Sequence, residues 1–214
     1  MSVNIATRTM GTPGAYVICE YGKIREYFPE FQDIMTRLKE NLIAKAIADW
    51  APLKRGGLAA EAGEFSETTI IPALFNDITG TRLITWDQWF SAAGALPIPG
   101  SRTIMTGAGP GGTIAEDYKV GLVGLAFLSK AIRISEIKMQ ISDKKLPRIN
   151  IEEAFAYEKP AIIFEDAFIL DEETGFDLYA YVLSQGPQRI MPIGIQLNRV
   201  PNKLMTTNTG AALL

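Results

Sequence analysis

The second half of the chain constrains the fold most. From Lys130 onward apolar side chains recur at every second residue. Ile132 and Ile134 alternate with Arg133 and Ser135, then Ile137, Met139 and Ile141 alternate with Lys138 and Gln140. That period places the apolar groups on one face of an extended strand. The parity slips by one between Ile134 and Ile137, which predicts a β-bulge or the start of a separate strand. Further strand-like runs cover 148–157, 161–170, 176–184 and 188–200, and the breaks at 143–147, 159–160, 171–175 and 185–187 carry turn residues. Strands at this spacing, with no helix between them, predict a mainly β fold. The expected form is an antiparallel sandwich or barrel, not an alternating β/α fold.

The first half adds other elements. Residues 1–14 read as an extended polar arm, and a short strand is expected over 15–21. Apolar residues at Phe31, Ile34, Met35, Leu38, Leu42, Ile43, Ala46, Ile47 and Trp50 fall three and four apart, which predicts an amphipathic helix over 29–50. Pro29 suits its first turn and Pro52 stops it. A helix of this kind packs on its own core as a rule; the alternative is a face laid on a neighbouring subunit or a membrane surface. A Gly/Ala-rich connector spans 53–66, a strand is expected over 68–75, and a loop over 92–100 follows Trp86, Trp89 and Phe90. The resulting division is an arm (1–14), a strand, helix and connector (15–66), a β-sandwich body (67–205) and a flexible tail (206–214).

Composition removes whole classes of chemistry. The 214 residues contain no histidine, which excludes Ser–His–Asp and Cys–His nucleophile systems and His-ligated zinc. The single cysteine, Cys19, cannot form an intrachain disulfide and sits in an apolar run as a small hydrophobe. A net charge of −3 gives no strong signal for nucleic acid, which demands a basic surface. Hydrophobic residues make up 47% and charged residues 21%, as in ordinary globular proteins. The longest apolar run, 120–128, is too short for a transmembrane helix, and the N-terminus lacks a secretory pattern, so a soluble chain is expected.

Short motifs in the chain gain meaning only from their context. Gly107-Ala-Gly109-Pro-Gly-Gly112 satisfies the spacing of a dinucleotide loop, but the next segment, with Gly121 and Gly124, is a poor helix; a mobile surface loop is expected. Carboxylates gather at Glu116-Asp117, Glu152-Glu153, Glu165-Asp166 and Asp171-Glu172-Glu173. Adjacent residues in a strand point to opposite faces, so none of these pairs makes a hydrolytic site alone. Residues 171–175 read as a solvated hairpin loop, with a weak calcium site as its alternative. Ser135-x-x-Lys138 and Ser142-x-x-Lys145 match an acyl-transfer spacing but lie in a strand and a turn, where that chemistry has no helix to start from. Lys54-Arg55 and Lys144-Lys145 with Arg148 are the compact basic groups; solvated loops are expected, with contact to an acidic neighbouring surface second. No catalytic, cofactor-binding or metal-binding residue emerges, and no enzyme is expected.

The arm Met1-Ser-Val-Asn-Ile-Ala-Thr-Arg-Thr-Met10 and the strand series, in particular Arg148-Ile-Asn-Ile-Glu152 and Arg189-Ile-Met-Pro-Ile-Gly194, resemble jelly-roll coat subunits of bacterial and archaeal viruses. The resemblance implies two packed four-stranded sheets and terminal arms that bind neighbours. It also implies a capsid role in the virion after synthesis in the host cytoplasm, with copies of the chain and other virion proteins as partners. The helix over 29–50 is not required by a single jelly roll. A β-sandwich binding module for carbohydrate or protein is the other reading, which Trp86 and Trp89 exposed in one groove would favour.

Overall fold

Alternating burial along the strands sorts the chain into two antiparallel sheets. The computed structural model describes residues 16–50, 65–77, 79–83, 100–129, 131–186 and 188–199. Its strands are β1 (Tyr16–Glu20), β2 (Phe65–Thr69), β3 (Phe75–Asn76), β4 (Gly100–Gly107), β5 (Tyr118–Phe127), β6 (Ile134–Ile141), β7 (Lys144–Lys145), β8 (Ile149–Asn150), β9 (Pro160–Leu170), β10 (Phe176–Val182) and β11 (Ile190–Arg199). Helices α1 (Ile24–Tyr27) and α2 (Phe31–Trp50) lie between β1 and β2. The expected arm, most of the connector with Lys54 and Arg55, the segment with Trp86, Trp89 and Phe90, and the tail fall outside the described residues.

The first sheet has the order β1-β9-β5-β11-β2; the second has β3-β4-β10-β6-β7, with β8 also paired to β6. From β2 onward the chain passes back and forth between them. β2, β5, β9 and β11 lie in the first sheet, while β3 with β4, β6 to β8, and β10 lie in the second. Two sheets, of five and six strands, filled in this alternating order have a jelly-roll-like connectivity. β1 extends the first sheet by one strand, pairing with β9.

Three layers of side chains follow from this order. Between the sheets, Leu122, Leu125 and Phe127 of β5 and Ile162 and Phe164 of β9 meet Phe176, Leu178 and Val182 of β10 and Ile137 and Met139 of β6. Phe75 and Phe176 pack edge to face there at 5.4 Å between ring centres. The outer face of the first sheet presents Val123, Ala126, Ala161, Ile163, Ile195 and Leu197, and α2 covers it with Ile34, Leu38, Leu42, Ala46 and Trp50. Those five positions are each four apart, so they form one stripe. Burying Ile34, Leu38 and Leu42 contributes roughly 1.5–3 kcal/mol each before entropy is counted. The apolar face of the helix is thus occupied by its own sheet, and its turn against water or a neighbour is the polar one. No helix among the described residues is long and apolar enough to cross a membrane.

β5 is buried on both faces, which accounts for its unbroken apolar run. Gly121 admits α2: a Cβ there would lie 2.8 Å from the Leu38 side chain. Gly124 sits at a break in register with β9, where a Cβ would meet the Ile162 carbonyl oxygen at 2.2 Å. The parity slip before Ile137 is a bulge: Ile134 pairs with Val182 and Glu136 with Tyr181, leaving Ser135 as the extra residue of a single strand.

Several local expectations are corrected. The strand expected over 68–75 is split, because Pro72 starts a 3-10 turn (Pro72–Leu74) that carries the chain from β2 in one sheet to β3 in the other. Only Ile149–Asn150 of 148–157 is strand. The Asn150 side chain accepts the Glu152 N–H at 2.8 Å and turns the chain into a 3-10 helix, Glu152–Ala156. Residues 171–175 are not a hairpin, since β9 and β10 lie in different sheets. Helix α2 starts at Phe31, with the Glu30 carbonyl accepting from the Ile34 N–H, so Pro29 precedes it.

Candidate functional site

Two polar arrangements stand out against this apolar scaffold. The first lies where the last turn of α2 meets the start of β5. Lys119 shares the parity of Gly121 and Val123, so it points from β5 to the helix side. It is 2% exposed, and its ammonium donates to Asp49 of α2 at 2.7 Å and to Asp171 after β9 at 3.0 Å. Nζ also lies 5.3 Å from the centre of the Trp50 ring. Lys45, one turn before Asp49, holds the other Asp171 oxygen at 2.8 Å. Glu172 accepts from the Trp50 indole N–H and from the Asp117 backbone N–H, and Arg199 pairs with Asp117.

The electrostatics of this cluster are those of a clasp. The last turn of α2 has no basic residue of its own, and its carbonyls and Asp49 are both negative. Lys119 supplies the missing cation from the sheet. Its hydrogen bond holds the Asp49 carboxyl below the usual aspartate range, and the hydrogen bond to Asp171 raises the Lys45 ammonium. Asp171 and Glu172, the residues of the expected solvated loop, are therefore engaged, which corrects that reading. Their oxygens already serve Lys45, Lys119, Trp50 and Asp117, which leaves little for a calcium ion.

The second arrangement is a groove of about 230 Å³ on the outer face of the second sheet, where no helix packs among the described residues. β10 places Tyr179 and Tyr181 there, because Leu178, Ala180 and Val182 take the inner positions. β6 contributes Glu136, Lys138 and Gln140; Lys145, Arg148 and Ser101 complete the wall. The Lys138 ammonium sits 5.5 Å from the centre of the Tyr179 ring, and Arg148 donates to Glu136 at 2.8 Å. Burial raises the Asp177 carboxyl, and burial together with that neighbouring charge raises the Tyr179 phenol.

The other sequence motifs resolve without chemistry. The segment from Gly107 to Gly112 is a closed turn, not a loose loop. The Ala108 N–H donates to the Leu74 carbonyl at 2.9 Å, and the Gly109 N–H to the Thr113 carbonyl at 2.7 Å. Gly111 and Gly112 have φ of 68° and 81°, where glycine is favoured. Strand β5 follows, so the turn does not lead into the helix that a dinucleotide loop requires. Ser135 lies in the β6 bulge and Ser142 in the turn before β7, with Lys138 and Lys145 turned into the groove. Lys145 and Arg148, expected as solvated loop charges, are groove walls, and Tyr179 and Tyr181 face outward beside them. Parity along β10 carried that signal: both tyrosines share the register of Asp177. Lys119 had a weaker one, a lone charge opening an apolar strand.

Fold and groove define a jelly-roll-like sandwich with a helix on the outer face of one sheet and, among the described residues, a polar groove on the outer face of the other. No protein family, curated protein or solved structure matches the chain. The strand order is that of a jelly-roll-like sandwich.

Proposed function

We propose that this chain is a self-assembling structural subunit, with a virion coat as its particular role. The observation that carries the reading is a group of exposed aromatic side chains beside an edge strand of a jelly roll. Among the described residues β1 is the edge of the first sheet. Tyr21, directly after it, and Tyr27 of α1 are each 37% exposed, and Phe155 is 48% exposed. Phe155 lies on the 3-10 helix that packs against β1 and β9. An edge leaves backbone donors and acceptors unpaired, and aromatic side chains are enriched where subunits meet. Symmetric association is the simplest way to cover such an edge. A ligand-binding sandwich is the second reading, favoured by the groove.

The test is the mass distribution of the purified chain by light scattering, with electron microscopy of the largest fraction. Shells, rings or tubes well above the 23.5 kDa monomer are expected. Tyr27→Ser with Phe155→Ser should shift the population toward monomer with an unchanged far-ultraviolet spectrum. A monomer at every concentration and salt would refute the proposal.

A further inference from the structure

We propose that the groove on the second sheet binds a sugar ring carrying a carboxylate or sulfate group. Its charge gives the sign of the ligand. Lys138, Lys145 and Arg148 stand against one carboxylate, Glu136, among the lining residues. The whole chain carries −3, so this surface reverses the overall sign. Arg148 commits Nη1 to Glu136, and a guanidinium has five N–H donors, so the pair fixes the side chain while its other edge serves an anion.

Shape and chemistry then select a ring. The volume of about 230 Å³ falls below the roughly 300–1,000 Å³ typical of drug-sized sites, which suits about one ring. Tyr179 and Tyr181 lie two apart on β10, side by side along the groove, and Tyr181 is 44% exposed. A tyrosine presents an apolar body with a polar tip, which matches the C–H face and the hydroxyl rim of a pyranose. Glu136, Gln140 and Ser101 supply acceptors and donors for those hydroxyls. A nucleic-acid strand needs a longer track of cations than three in one pocket, and the overall negative charge opposes it.

The inference rests on the sheet geometry and not on assembly. A monomer that binds would refute only the assembly proposal; shells that fail to bind would refute only this one. The experiment is titration calorimetry of the full chain with a sulfated glucosamine–uronate disaccharide, with cellobiose, an oligothymidine and a glutamate-rich peptide as comparators. Saturable binding of the acidic disaccharide and none of cellobiose is expected. Tyr181→Ala should weaken binding roughly five- to tenfold, and Lys145→Ala with Arg148→Ala about tenfold or more. All three side chains are exposed, so melting temperatures should match the parent and certify the fold. Equal binding by the variants, equal binding of cellobiose, no binding at about 10 mM ligand, or tighter binding of the oligonucleotide or the peptide would each overturn the proposal.

Discussion

Replacing Lys119 by methionine tests the clasp between α2 and the sandwich. Methionine keeps an unbranched chain of similar length and removes the ammonium, so Asp49 and Asp171 are left facing each other. Removing one partner of a fully buried pair costs about 3–5 kcal/mol. Here the Asp49 side chain is 48% exposed and that of Asp171 29%, so water takes up part of the stranded charge. Lys45 also remains on Asp171. The expected loss is about 1.5–3 kcal/mol at pH 7, or roughly 3–12 °C in Tm for a chain of this size. The pH dependence has a definite sign. Lys119 lowers the folded-state pKa of Asp49, and such a group contributes stability above its unfolded value, about 3.9, that is lost as pH falls through the folded value. In Lys119→Met that contribution is absent. The gap between parent and variant should therefore be full at pH 7 and narrow below about pH 4. Urea unfolding followed by tryptophan fluorescence at both pH values measures it. A gap under about 0.5 kcal/mol at pH 7, the range of neutral surface changes, or one that widens in acid, would refute the clasp.

Two further outcomes follow from packing. Gly124→Ala should cost about 3 kcal/mol, because its Cβ meets a backbone oxygen, whereas Gly121→Ala should cost about 1 kcal/mol, because the Leu38 side chain can shift. Denaturant midpoints that reverse this order would contradict the β5 register. Cys19 is buried, and that burial pushes its thiol up to about 11. A thiol reagent at about pH 8 should then label the native chain only as fast as it opens, and labelling at the rate of a free thiol would contradict its burial.

The strands over β9, β10 and β11 were legible because alternation and turn residues agree there. The run 148–157 was not, because Ile149, Asn150 and Ile151 alternate like a strand while the Asn150 side chain turns the backbone. Which sheet a strand joins is also invisible locally: the turn chemistry of 171–175 serves a hairpin or a crossing between sheets equally well, and pairing with distant strands decides. The same distance hid the clasp. Asp49 and Asp171 lie 70 and 52 residues from Lys119, so only the folded order brings them together. The outward register of Tyr179 and Tyr181 was readable, but the packing of α2 on the other sheet was not.

That choice links the two proposals. A jelly roll has two outer faces and the edges of its sheets for meeting anything else. On the first sheet α2 spends its whole apolar stripe, so the helix closes that face. Hydrogen-bonded contact through the β1 edge runs in the plane of the sheet, since strands add about 4.8 Å apart sideways. Such contact leaves sheet faces uncovered by geometry. In the edge-joined assembly proposed above, such contact would leave the groove, on the face opposite the helix, accessible to solvent. The helix that made this chain look unlike a single jelly roll thus gives its two faces different roles: one is sealed by the chain itself, and the other presents the tyrosines and cations outward.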